Sequence, residues 1–373
     1  MPRLALIRQN YRPDGGAERF ISRALLALSE SGVELNLITR QWQESGNFRV
    51  LACNPPIWGR VSRERAFAEQ AMRICQQESF DLVQSHERIP GCSLFRAGDG
   101  VHRRWLDIRK QFLPSWKCGW QEYSRFHRYV LHAEKAMFED SRLRAVICNS
   151  HMVKDEIIHY YALPESRIHV IYNGIDCEQF HPRNRQHRPM LRAQLGIPEA
   201  ATLFLFVGSG FERKNLGLVI DALGKLDLDT HLAIVGRDSS QRKYQRRAQQ
   251  LGVEARCHFL GVRQDLPALY GMADALVLPT WYDPFPNVIL EAMASGLPVL
   301  TSSHSGGREL IGQEAGAVIA PDDCMGLAGK MHALQDAEKA HTMGSVARSR
   351  VEHLSPAELS SQLLGLYTQL LSS

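Results

Sequence analysis

One pattern constrains this chain more than any other. Short apolar runs of strand length alternate with amphipathic stretches, and the alternation restarts near the middle. Residues 4–7, 34–39, 81–84, 145–148 and 169–171 read as strands, separated by helical patterns at 17–29, 64–77, 123–139 and 152–161. A second series runs through 202–207, 231–235, 257–260, 275–278 and 298–301, with helical stretches at 216–223, 241–251, 266–272 and 288–294. Such alternation predicts parallel sheets covered by helices on both faces. The fold class is therefore α/β, with two Rossmann-like, doubly wound domains. Turn formers between Asn173 and Pro189 suit a hinge, and from residue 322 the chain is mostly helical. The predicted division is 1–175, 176–352 and a C-terminal helix at 353–373 that packs back on the first domain.

Composition removes several classes. The 44 Lys plus Arg against 40 Asp plus Glu give a net charge of +4, which offers little support to nucleic-acid binding. Hydrophobic residues at 44% can fill two cores, so disorder is excluded as the main state. No run approaches the roughly 20 apolar residues of a spanning helix. The apolar run at 4–7 is too short for a signal peptide. The eight cysteines form no CxxC pair, which favours reduced thiols and a cytoplasmic location over a disulfide framework or zinc site.

Two open α/β domains facing each other would make a cleft, and ligands in such folds bind where strands end. Three loops therefore matter. Gly15 and Gly16, after the first strand, would let a backbone approach a diphosphate at a helix start, although a plain turn accounts for them equally. They do not spell GxGxxG, so the nicotinamide fingerprint is missing. Gly208 and Gly210 precede Arg213 and Lys214, two cations able to reach one phosphate. A solvated surface pair is the alternative there. Residues 281–298 place Asp283 in a loop, Pro286 and Asn287 at a helix start, and Glu291 one turn in. Either carboxylate could accept bonds from sugar hydroxyls, or merely cap a turn and favour a helix end.

The last stretch resembles the EPFG-x-x-x-LEAMA-x-G-x-PV signature of family 4 retaining glycosyltransferases of the GT-B fold. Gly15-Gly16, Asn173-Gly-Ile-Asp176, Arg213-Lys214, Val235-Gly236, Gly261 and Gly306-Gly307-Arg308-Glu309 fall in the expected order over nearly the whole chain. The chain is most similar to bacterial lipopolysaccharide-core hexosyltransferases of the glucosyltransferase I type. That resemblance implies transfer of a hexose, glucose by preference, from a UDP-sugar to a lipopolysaccharide-core saccharide, with retention and without a metal or cofactor. It implies that Arg213 and Lys214 bind the diphosphate, with Gly16 close to it, and that Phe285, Pro286, Asn287 and Val288 hold the sugar and diphosphate. Glu291 would bind ribose, Asp283 would face the sugar, and Arg263 would lie near the base. Gly208 and Gly236 belong to the same donor set. Asp283 stands where the family usually has Glu, one methylene longer. In the first domain Asp99 matches the family's acidic position best, with His102 and His86 as competitors for the acceptor side.

Asp227-Leu-Asp229 spells a metal-binding DxD, but it lies far in sequence from every cleft motif and reads as a solvated turn. Residues 101–130 hold seven basic residues against two acidic ones, interleaved with aromatics. They suit an anionic membrane surface, a phosphorylated glycolipid, or a helix with one wet face. Peripheral attachment at the inner face of the cytoplasmic membrane is the corresponding expectation. Another lipid-linked or polysaccharide acceptor, or a GT-B nucleotide-sugar epimerase, is the alternative activity. A non-enzymatic sugar-binding protein would normally be exported.

Overall fold

A computed structural model describes residues 2–9, 33–41, 48–112 and 124–372. Gly15, Gly16 and the expected helix at 17–29 lie outside the described residues, as do Trp116 and Trp120. The chain divides into two compact units: Met1–Gly174 with Pro356–Ser373, and Ile175–Ser355.

The first unit holds seven strands, β1 (Arg3–Ile7), β2 (Glu34–Thr39), β3 (Arg49–Ala52), β4 (Leu82–Ser85), β5 (Leu94–Ala97), β6 (Ala145–Cys148) and β7 (Ile168–Val170). All pair in parallel in the order β3-β2-β1-β4-β5-β6-β7, with Ala5 opposite both Asn36 and Val83. In β1, Leu4, Ala5, Leu6 and Ile7 are all fully buried, as a central strand covered on both faces requires. Helices α1 (Arg60–Glu78), α2 (His102–Phe112), α3 (Arg125–Phe138) and α4 (His151–Tyr161) belong to this unit. Ser124 and Ser150 cap α3 and α4 by accepting from the amides of His127 and Val153.

Two strands escaped the sequence reading. β3 is an edge strand whose side chains are mostly exposed, so it lacks an apolar run. β5 lies between the expected strands at 81–84 and 145–148. Its pattern is broken by Arg96, which is nevertheless buried and donates to Asn173 Oδ1 at 2.7 Å.

The second unit holds six parallel strands: β8 (Thr202–Val207), β9 (Thr230–Val235), β10 (Cys257–Gly261), β11 (Ala275–Leu278), β12 (Val299–Ser302) and β13 (Gly316–Ile319). Their order is β10-β9-β8-β11-β12-β13. β13, too short and mixed to stand out, was also missed. The covering helices are α5 (Arg188–Gln194), α6 (Leu216–Leu223), α7 (Gln241–Gln250), α8 (Leu266–Met272), α9 (Asn287–Ala294), α10 (Arg308–Ile311), α11 (Cys324–Ala333) and α12 (Ala337–Val351). Arg192 is buried here for a structural reason: it donates to Asp274 Oδ2 at 2.8 Å and to the Met272 and Ala201 carbonyls.

The last helix, α13 (Pro356–Ser372), returns to the first unit. Leu359, Leu363, Leu366, Tyr367 and Leu370 pack on Leu6, Leu37, Leu82 and Ile147 from four strands of its sheet. Tyr367 donates to Gln84 Oε1 at 2.6 Å, which keeps its buried hydroxyl bonded.

Strand order reverses between β1 and β4 in the first sheet and between β8 and β11 in the second. Those switch points are where open α/β sheets bind ligands, outside the carboxyl ends of the strands. The loops after β8 and β11 are the ones carrying Arg213, Lys214 and Asp283. Among the described residues, no helix is long and apolar enough to cross a membrane. Asp227 and Asp229 lie exposed at the amino end of β9, the opposite end from these loops. Seven described cysteines are free thiols, five of them buried.

Candidate functional site

In the second unit the site is built by three turns pressed together. Gly236 follows β9 at φ 133°, and a side chain there would come within 2.4 Å of the Gly208 carbonyl oxygen. Gly208 itself, at φ 136°, leaves the space that the Lys214 side chain fills. These two glycines are needed for close approach and for left-handed backbone, as an anion-binding turn requires. Asn215 then adopts φ 62° without being glycine, held by its amide donating to the Pro279 and Pro321 carbonyls at 3.1 and 2.6 Å. The strained residue is thus locked onto the loop after β11.

That lock sets Arg213 against the signature segment. The Arg213 carbonyl accepts from the Trp281 amide at 2.8 Å and the Thr280 hydroxyl at 3.0 Å. Its guanidinium donates to the Tyr282 carbonyl at 2.7 Å and to Asp283 Oδ2 at 3.1 Å. Asp283 is buried, and its backbone bridges to the 304–306 turn: its amide donates to His304 and its carbonyl accepts from Gly306. Asp283 thus meets a cation.

Lys214 is buried, and Nζ donates to the Val207 carbonyl at 3.3 Å. Burial pushes its ammonium below the ordinary lysine range, while Asp283 and Glu291 pull it back and Arg213 adds to the fall. An anion arriving beside Lys214 and Arg213 would supply the charge that burial makes costly to leave alone.

Glu291 lies one turn into α9 with 1% exposure, and Oε2 accepts from the Tyr270 hydroxyl at 2.9 Å. Tyr270, fully buried on α8, was missed because it reads as an ordinary core aromatic. Phe285 and Pro286 are buried, Asn287 and Val288 are partly exposed in the first turn of α9, and the Ile289 amide of that turn donates to the Pro286 carbonyl at 3.0 Å. Gly307 packs on Ile289, so the 306–309 turn lies against this helix. Arg263 stands apart. It follows the edge strand β10 and pairs with Asp265 at 2.5 Å, not with the cluster around Arg213.

In the first unit, His86 follows β4 while Asp99 and His102 lie beyond β5. Asp99 is exposed in the turn after β5. His102 opens α2, with Nε2 3.1 Å from His127 Nδ1, and bonds to His127 rather than to Asp99. Burial and the nearby Arg88 pull its imidazole down to about 4. His86 is buried with Nε2 3.0 Å from Gln84 Nε2, and burial keeps it well below the usual histidine range.

The organising group here is one the sequence reading missed. Glu134, inside α3 and 1% exposed, accepts from Arg88 Nε at 2.7 Å, the His102 and Arg103 amides, and the Tyr161 hydroxyl at 2.6 Å. Burial raises its pKa, but Arg88 and these donors outweigh that and leave it below the usual carboxylate range. It caps α2 from another helix, which no local capping signal reveals. The aromatic-basic segment is described only in part. Trp105 lies under the Arg109 guanidinium at 5.6 Å, and Leu106 and Ile108 are buried.

Comparison with known proteins agrees with this architecture. The family described as glycosyl transferases group 1 matches residues 187–350, and glycosyltransferase family 4 matches residues 14–179. The chain is 32% identical to mannosylfructose-phosphate synthase of Agrobacterium fabrum over 352 residues, covering 82% of this chain and 77% of that one. It is 27% identical to the lipopolysaccharide glucosyltransferase WaaG of Escherichia coli over 326 residues, 85% of each chain. A crystal structure of WaaG superposes with TM-score 0.82 at 24% identity, over 97% of this chain and 100% of that one. HepE of Anabaena, solved in complex with UDP and glucose, shares the fold with TM-score 0.73 at 20% identity, over 99% of this chain and 100% of that one. The parallel α/β architecture is thus that of a known class, and the chain belongs to the group 1 and family 4 glycosyltransferases of the GT-B fold.

Proposed function

We propose that this glycosyltransferase moves a hexose, glucose by preference, from a UDP-sugar to a lipopolysaccharide-core saccharide, with retention of anomeric configuration and without a metal ion. The observation carrying the donor half is the Arg213–Asp283 contact beside buried Lys214, at the switch point of the second sheet. WaaG's name as a lipopolysaccharide glucosyltransferase supports the acceptor and sugar, and the UDP and glucose bound to HepE support the donor.

Transfer breaks the bond between the anomeric carbon and a phosphate oxygen. Positive charge grows on the sugar ring and negative charge on the departing diphosphate. Arg213, Lys214 and the first amides of α9, with Phe285, Pro286, Asn287 and Val288, stabilise the latter as preorganised charge. Asp283 keeps the guanidinium oriented until the diphosphate arrives. Glu291, held by Tyr270, receives the ribose hydroxyls. The acceptor hydroxyl attacks the same face, and its proton passes to the leaving phosphate oxygen. In the first unit Asp99 and His102 serve the acceptor, with Gly15 and Gly16 near the diphosphate. Residues 101–130 meet the anionic inner face of the cytoplasmic membrane through the basic outer side of α2.

The test is turnover of UDP-glucose with a core-oligosaccharide acceptor, with the product's anomeric configuration read by NMR. Activity is expected to survive exhaustive chelation. An inverted linkage, or an activity restored only by a divalent ion, overturns the mechanism. Epimerised donor in the absence of acceptor points to the epimerase alternative.

A further inference from the structure

The first unit contains a groove that the donor and acceptor residues named above do not explain. α1 packs on α3, and the groove along their N-terminal parts has a volume of about 830 Å³. Arg60, Arg65, Arg125 and Arg128 line it, joined by His132 and Trp58. Among the described residues, no carboxylate lines it, and none of the four arginines forms a salt bridge with another described residue. All four are exposed. Two are steadied by rings: Arg60 lies over Phe126 at 4.5 Å and Arg65 over Tyr129 at 5.5 Å. Stacking of this kind holds a guanidinium in place while its N–H edge can still donate. Four like charges sharing one concavity repel, and a multiply charged anion removes that cost.

Next to the groove lies a cavity of about 230 Å³ whose polar lining includes Gln9, Glu64, Glu87, Arg88 and His102. Phe126 and Tyr129 supply aromatic wall. Carboxylates, an amide and aromatic faces are what saccharide hydroxyls and C–H surfaces require. Tyr129 belongs to both spaces, so they adjoin.

We propose that the cavity receives the acceptor saccharide and the groove binds a phosphate group carried on that same saccharide, so that the protein selects phosphorylated acceptors. The proposal rests on the glycosyltransferase reading above and gives it a substrate class. Two features favour a saccharide-borne phosphate over a bilayer. The arginines line a concave space of solute size, whereas a membrane is met by a convex basic face. The lysines and arginines among its described lining residues are all arginine, whose planar fork matches phosphate through paired hydrogen bonds.

The probe is a deacylated lipopolysaccharide-core oligosaccharide, used as isolated and after removal of its phosphates, titrated calorimetrically into the unaltered chain and into R125Q/R128Q. Both positions are exposed, and a shared melting temperature checks the fold. The phosphorylated oligosaccharide is expected to bind the variant about tenfold more weakly. The dephosphorylated one is expected to bind both proteins alike. Equal affinity of the two proteins for the phosphorylated probe overturns the proposal. So does a loss confined to sedimentation with vesicles of phosphatidylglycerol and phosphatidylcholine, which would give the groove to a bilayer. UDP-glucose turnover by the unaltered chain is measured separately. Phosphate-dependent binding without turnover leaves the groove standing and removes the donor reading.

Discussion

The carboxyl ends of the two sheets are built in opposite ways. In the second unit, Gly208, Arg213, Lys214 and Asp283 come from two adjacent loops, and close packing of glycine against lysine fixes them. In the first unit, Arg88, His102, Glu134 and Tyr161 come from four separate stretches, and a buried carboxylate fixes them. The first arrangement depends on backbone shape and is written locally in the sequence. The second depends on tertiary assembly and is not. The first also brings a buried lysine beside an arginine–aspartate pair to a switch point, whereas the second neutralises its charge internally and leaves a basic groove alongside.

Mutation can break this comparison on either side. The largest effect is expected from R213A/K214A, which should lower UDP-glucose turnover about a thousandfold and abolish UDP binding in a fluorescence titration. Unchanged affinity would remove the charge role from the second unit. Next is Glu134→Ala, which strands Arg88 and uncaps α2. It should cost about 3 kcal/mol in urea unfolding, with UDP binding intact. A cost below about 1 kcal/mol would mean that the network is not what holds the first unit's site.

Asp283→Ala tests whether orientation of Arg213 matters beyond its presence. Turnover should fall on the order of tenfold with little change in melting temperature. An unchanged rate would make Asp283 a bystander. The smallest effect concerns His102. Its proton affinity is lowered in the folded chain, so the unfolded chain binds the proton more readily. Stability should therefore drop as pH falls from the ordinary histidine pKa towards about 4, the folded value. His102→Gln should flatten part of that slope in thermal melts. A slope identical in the variant would assign it to other groups, His86 first.

The sequence made the alternation of strands and helices plain because central strands of a parallel sheet are apolar on both faces. It hid β3, β5 and β13, where an edge position or a buried arginine breaks the apolar run. Arg213, Lys214, Asp283 and Glu291 were legible because turn geometry and helix start fall within short segments. Tyr270 was not, since only the fold shows its hydroxyl on Glu291. Glu134 and the arginines of the groove were invisible for the same reason: their partners are set by helix packing. Arg263, which the family resemblance places near the base, pairs with Asp265, two positions on.

The return of α13 to the first sheet has a consequence for biosynthesis. Residues 356–372 emerge from the ribosome only after the whole of the second unit has been made. Until then, the nascent first sheet lacks the cover that Leu359, Leu363, Leu366 and Leu370 supply, and Tyr367 has not reached Gln84. From the completion of β7 until α13 arrives, this half of the molecule offers a greasy flank to chaperones and to neighbouring chains.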